Sequence, residues 1–90
     1  MLKIRQGFLL RKMMNAHVAV AVGEAGEHFN GMIRLNDAGA YLWQEMQQGI
    51  DKEALIQRML CRYEDLDEKT ARQDLDEFLR AVHFALEGEE

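Results

Sequence analysis

The stretch FNGMIRLNDAGAYLW, residues 29–43, compresses a turn, a strand and a helix start into fifteen residues. Asn30-Gly31 is a strong turn signal. Met32-Ile33-Arg34-Leu35 alternates, so Ile33 and Leu35 face one side of a strand and Met32 and Arg34 the other. Asn36 is a good N-cap because its side-chain oxygen can accept an orphan N–H of the first helical turn. Asp37 suits the positive end of the helix dipole. The strand sits between the turn and the helix with no room to spare.

Upstream, Gly7 precedes FLLRKM, residues 8–13, and Asn15 offers a turn because Asn tolerates the left-handed conformation. His17 to Val22 then alternates with period two and is rich in Val, so the two segments predict a hairpin. GEAGE, residues 23–27, is a polar loop. Downstream, the first helix runs to about Gln47, with Gly39, Leu42, Trp43 and Met46 on one face and Gly49 as its stop. Asp51 caps a second helix with the stripe Leu55, Ile56, Met59, Leu60 and Tyr63. Asp67 caps a third, with Ala71, Leu75, Phe78, Leu79, Val82 and Leu86 as its apolar face. The tail EGEE is expected to fray. Three short antiparallel strands followed by three helices make an α+β arrangement close to a winged helix-turn-helix. We expect one domain over residues 1–90, with its core at about 7–86.

Hydrophobic residues make up 48% of the chain, enough for a core without disulfides. The single Cys61 excludes a CxxC metal knuckle and fits a reducing compartment. Lys3 and Arg5 interrupt any N-terminal apolar run, and no run reaches the ~20 residues that span a bilayer. The expectation is a soluble cytoplasmic protein that does not use a membrane. Charge is uneven: residues 1–50 carry +1 and residues 51–90 carry −6. The helices that would read DNA are the acidic part, which argues against nucleic acid.

No catalytic or metal-binding pattern emerges, so no cofactor is expected. His17, His28 and His83 lack partners at ligand spacing and read as surface residues, with His83 four residues before Glu87. Cys61, beside the apolar stripe, reads as a half-buried structural residue rather than a nucleophile. Asp65, Asp67, Glu68, Asp74, Asp76 and Glu77 read as a solvated face, with a basic partner as the functional alternative. Trp43 reads as core, although an exposed Trp would be an interface anchor. No GxGxxG, Walker-type loop or GxSxG elbow occurs.

The pattern LN-x-x-G-x-x-x-W at Leu35, Asn36, Gly39 and Trp43, with the Val-rich strand before it and Gly49, Leu55-Ile56, Leu60, Tyr63, Asp74 and Phe78-Leu79 after it, resembles the coenzyme PQQ synthesis protein D (PqqD) family. Asp37-Ala38 and the ending FALEGEE depart from that family's usual pattern. The resemblance implies a non-catalytic domain that holds the leader part of a ribosomally made precursor peptide. It presents that peptide to a modifying enzyme, often a radical SAM enzyme. The leader is bound as an added strand beside the third strand, against the third helix. By position, Met32, Ile33, Arg34 and Leu35 offer the edge, and Arg72, Leu75, Phe78 and Leu79 line the groove. On that reading Leu75→Arg abolishes peptide binding without unfolding the domain. An unpaired edge is also compatible with dimerisation. The alternative is a winged-helix DNA-binding transcriptional regulator, which should contact phosphates through Lys and Arg and lose affinity steeply with salt.

Overall fold

A computed structural model of the protein describes residues 1–14, 16–22 and 32–88. The element order is β1 (Lys3–Ile4), β2 (Phe8–Met13), β3 (Ala16–Ala21), β4 (Met32–Leu35), α1 (Asp37–Gln47), α2 (Lys52–Arg62), α3 (Glu68–Ala81), a 3₁₀ turn (His83–Ala85) and β5 (Leu86–Gly88). The α+β order of three antiparallel strands and then three helices is as the sequence predicts. The expected turns at Asn15 and Asn30-Gly31, the 23–27 loop and His28 lie outside the described residues.

The main sheet has the order β2-β3-β4, antiparallel throughout. Phe8 pairs with Ala21 and Met13 with Ala16, while His17 pairs with Leu35 and Val20 with Met32. At the β2–β3 turn the left-handed conformation falls on Met14, with φ 57°. Among the described residues both β2 and β4 are edges of this sheet. Period-two geometry sends Phe8, Leu10, Ala19, Ala21, Ile33 and Leu35 to the helical side.

The termini differ from expectation. The expected core at about 7–86 leaves residues 1–6 outside it, and the tail EGEE is expected to fray. Instead β1 and β5 form a second, two-stranded antiparallel sheet. Leu2 bridges Ile50 through paired backbone bonds of 2.8 and 2.9 Å. The Arg5 amide donates to the Ala85 carbonyl at 2.7 Å, and Arg5 Nε donates to the Leu86 carbonyl at 2.9 Å. The cause is apolar: Leu2, Ile4 and Leu86 are all buried in the core. Burying them outweighs the ordering cost of two short end segments.

The helices start as predicted. Asn36 Oδ1 accepts the Gly39 amide at 2.7 Å, and Asp67 Oδ1 accepts the Thr70 amide at 2.7 Å. Asp51 occupies the N-cap of α2 without a side-chain bond to the helix. Gly49 takes φ 86° after α1, the left-handed stop that glycine adopts without a Cβ penalty. α3 ends at Ala81, and residues 83–88 supply the 3₁₀ turn and β5.

Trp43 is fully buried and meets Phe8 edge-on, with ring centroids 6.1 Å apart. Phe8 also meets Phe84 at 5.6 Å. Met46, Leu55, Ile56, Leu75 and Val82 are sealed around them. Trp43 Nε1 has no acceptor among the described residues. Cys61 corrects its expected half-burial: it is exposed. Two residues past the buried Met59 is a turn of about 200° around the helix, which carries Cys61 to the solvent side. No helix among the described residues is long and apolar enough to cross a membrane.

Candidate functional site: an open strand edge beside a helical groove

Among the described residues β4 pairs with β3 on one side only, which leaves a row of its backbone N–H and C=O groups without a strand partner there. Met32 and Arg34 are exposed while Ile33 and Leu35 are half-buried, matching the predicted alternation. Where β4 ends, a depression of about 450 Å³ opens between the start of α1 and α3, lined by Asn36, Ala38, Gly39, Leu42, Asp74, Glu77 and Phe78. A second depression, of about 570 Å³, shares Ala38, Leu42 and Asp74 and continues toward Met59, Tyr63 and Leu66. Together they form one groove with an apolar floor.

Gly39 shapes its upper end. A Cβ there would meet Asn36 Oδ1 and Phe78 Cε1 at 3.3 Å and Leu35 Cβ at 3.5 Å. The missing side chain lets Phe78 lie against the first turn of α1. At the far end, the Arg62 guanidinium sits 4.2 Å from the centroid of the Tyr41 ring. Burial, and then the nearby Glu45 carboxylate, push the Tyr41 hydroxyl pKa upward.

The residues predicted for the helix side separate into two groups. Phe78 is half-buried and reaches the groove with Asp74 and Glu77, its i−4 and i−1 neighbours. Leu75 is 0% exposed and Leu79 5%, so both support the groove from within the core and offer it no surface. That burial argues against the expectation that Leu75→Arg spares the fold. Arg72 points elsewhere: its guanidinium donates twice to Glu53 at 2.7 Å, and to Glu68 at 2.7 and 3.0 Å. It ties α3 to α2. Arg72 and Phe78 are six positions apart, which sets them about 120° from each other around the helix. Ala38, Leu42, Asp74 and Glu77 line the groove without having been expected to; Leu42 belongs to the apolar face of α1, while Asp74 and Glu77 flank the stripe of α3.

The acidic residues of α3 are likewise divided. Asp76 accepts from Lys52 Nζ at 2.8 Å, Asp67 caps the helix, and Asp74 and Glu77 rim the groove. His17 Nε2 lies 2.9 Å from Asp37 Oδ1, linking β3 to the start of α1. Among the described residues, no three His, Cys, Asp or Glu side chains are close enough to hold a metal.

The carboxyls of Glu53, bonded to Arg72, Asp67, bonded to the Thr70 amide, and Asp76, bonded to Lys52, are all held below their ordinary pKa. Each adds stability that is complete above the ordinary value of about 4 and is lost as pH falls through the depressed value. The urea midpoint should be flat above about pH 5 and decline below about pH 4. Arg72→Gln should shallow that decline; an acid limb identical in both proteins would contradict the linkage.

The chain matches none of the curated protein sequences. A solved structure of TbiB1 in complex with the TbiA(beta) leader peptide shares its fold, with a TM-score of 0.76, 22% identity and coverage of 98% of each chain. The family model for coenzyme PQQ synthesis protein D (PqqD) matches residues 13–83, which take in β3, β4, the groove and all three helices. This chain belongs to the PqqD family.

Proposed function

We propose that the protein is a non-catalytic adaptor. It binds the leader segment of a ribosomally made precursor peptide by strand addition to β4 and presents it to a modifying enzyme, a radical SAM maturase being the partner class that the family resemblance favours. The observation that carries this reading is the open β4 edge leading into the groove at Phe78. PqqD family membership and the fold shared with TbiB1, itself solved with a leader peptide, support it. The backbone of Met32, Ile33, Arg34 and Leu35 would supply hydrogen bonds worth about 0.5–1.5 kcal/mol each. Alternate peptide side chains would enter the groove, with Phe78 as the anchor. Leu75 and Leu79 would act by holding Phe78 in place, and Arg72 by fixing α3 on α2.

A DNA-binding role is less well supported. α3 carries only Lys69, Arg72 and Arg80 as cations, and the Arg72 guanidinium is already engaged by two carboxylates. The test is fluorescence anisotropy of a labelled leader peptide, taken from a small open reading frame beside this gene, at two salt concentrations. Saturable binding that changes little with salt is expected. Absence of binding to any neighbouring peptide, or tight and steeply salt-dependent binding to duplex DNA instead, would reject the adaptor reading.

A further inference from the structure

The outer face of the β2-β3-β4 sheet has no part in the groove, and its composition is unusual for a face turned to water. The register sets Leu9, Val20 and Met32 in one row across three strands, and Arg11, Val18 and Arg34 in the next. Met13 pairs with Ala16 beyond them. β3 divides so that its alanines, Ala19 and Ala21, face the helices, while its valines, Val18 and Val20, face outward. Leu9 is 42% exposed, Met13 53% and Met32 57%. Val18 is buried but lies outside the core cluster, beneath its cross-strand neighbours Arg11 and Arg34.

A one-sided antiparallel sheet ordinarily turns polar residues to water. A contiguous apolar patch on such a face marks an interaction surface, and Met and Arg are enriched at protein interfaces. The three strands carry no acidic residue, whereas residues 51–90 carry −6. The face is therefore apolar and cationic on an otherwise acidic molecule. Its apolar residues are aliphatic or thioether, with no ring on which a base could stack.

We infer that this face docks the enzyme that modifies the peptide, through an apolar patch on that enzyme rimmed by carboxylates opposite Arg11 and Arg34. The inference rests on the adaptor reading, since an adaptor needs a second surface that a bound peptide leaves open. A strand added at β4 would leave this face uncovered. β2, at the opposite edge of the sheet, gives residues that can be changed without touching the peptide site.

The test is the double variant Leu9→Glu, Arg11→Glu in the full chain. It is titrated against the modifying enzyme encoded beside this gene and, separately, against the labelled leader peptide. Loss of a central apolar and charged pair should weaken enzyme binding by roughly 30-fold or more. Leader affinity should stay within about twofold, which also shows that the variant is folded. Enzyme binding that is absent in the wild type, unchanged in the variant, or lost only together with leader binding overturns the docking face. So does a wild-type dimer that the variant makes monomeric, or wild-type binding to phosphatidylserine vesicles that the variant loses. A wild-type chain that binds the enzyme but no leader rejects the adaptor reading separately from the face.

Discussion

Leu75→Arg should leave no folded domain. Leu75 is fully enclosed with Trp43, Met46, Leu55, Ile56 and Val82. Truncating such a leucine to alanine costs about 2–5 kcal/mol. A guanidinium in the same place adds the several kcal/mol of an unpaired buried ion. The whole stability of a domain this size is only about 5–15 kcal/mol. Far-UV circular dichroism and urea unfolding should show no cooperative transition for Leu75→Arg, and a folded but weakened Leu75→Ala. A Leu75→Arg protein with a wild-type midpoint and no peptide affinity would instead place Leu75 on the groove surface.

Phe78→Ala should lower leader affinity at least about tenfold, or about 1.4 kcal/mol. Phe78 is the large apolar side chain that α3 turns into the depression at the end of β4. Because it is only half-buried, the cost to stability should be about 1–2 kcal/mol, below the range for a fully buried phenylalanine. The contrast is Arg72→Gln, which should leave affinity unchanged because that side chain is held toward α2. Anisotropy titrations and urea midpoints of the two variants separate the roles. Retained affinity in Phe78→Ala, or lost affinity in Arg72→Gln, would move the anchor along α3.

Much of the architecture is legible in the chain because periodicity and capping agree. The alternation from His17 to Val22, the caps Asn36 and Asp67, and the stop at Gly49 all specify their elements locally. β1 and β5 were not legible for a physical reason. Two- and three-residue strands carry almost no periodic signal, and their pairing depends on Leu2, Ile4 and Leu86 meeting a core built by the rest of the chain. The site was half legible. The β4 edge follows from sequence order, since a strand reached last in a hairpin series ends at an edge. Of the four α3 residues expected along the groove, only Phe78 lines it. An apolar stripe advertises its centre, Leu75 and Leu79, and the centre is what the core consumes. The depression is lined from the flank, where Phe78, Asp74 and Glu77 lie between core and water. Which face of β3 was core was not decidable from alternation alone, because alanine and valine both tolerate burial. Only the bulk of Trp43 and Phe8 makes the smaller residues the better fit on the helical side.

The central claim is that the leader becomes a strand on β4. Amide hydrogen exchange, resolved residue by residue by NMR with and without a saturating leader peptide, tests it most directly. Strand addition predicts that alternate β4 amides, either those of Met32 and Arg34 or those of Ile33 and Leu35, gain strong protection, because only every second N–H points out of the sheet edge. The α2 amides should be unchanged. Peptide binding with no gain in protection on β4, or with protection confined to the helices, would contradict it.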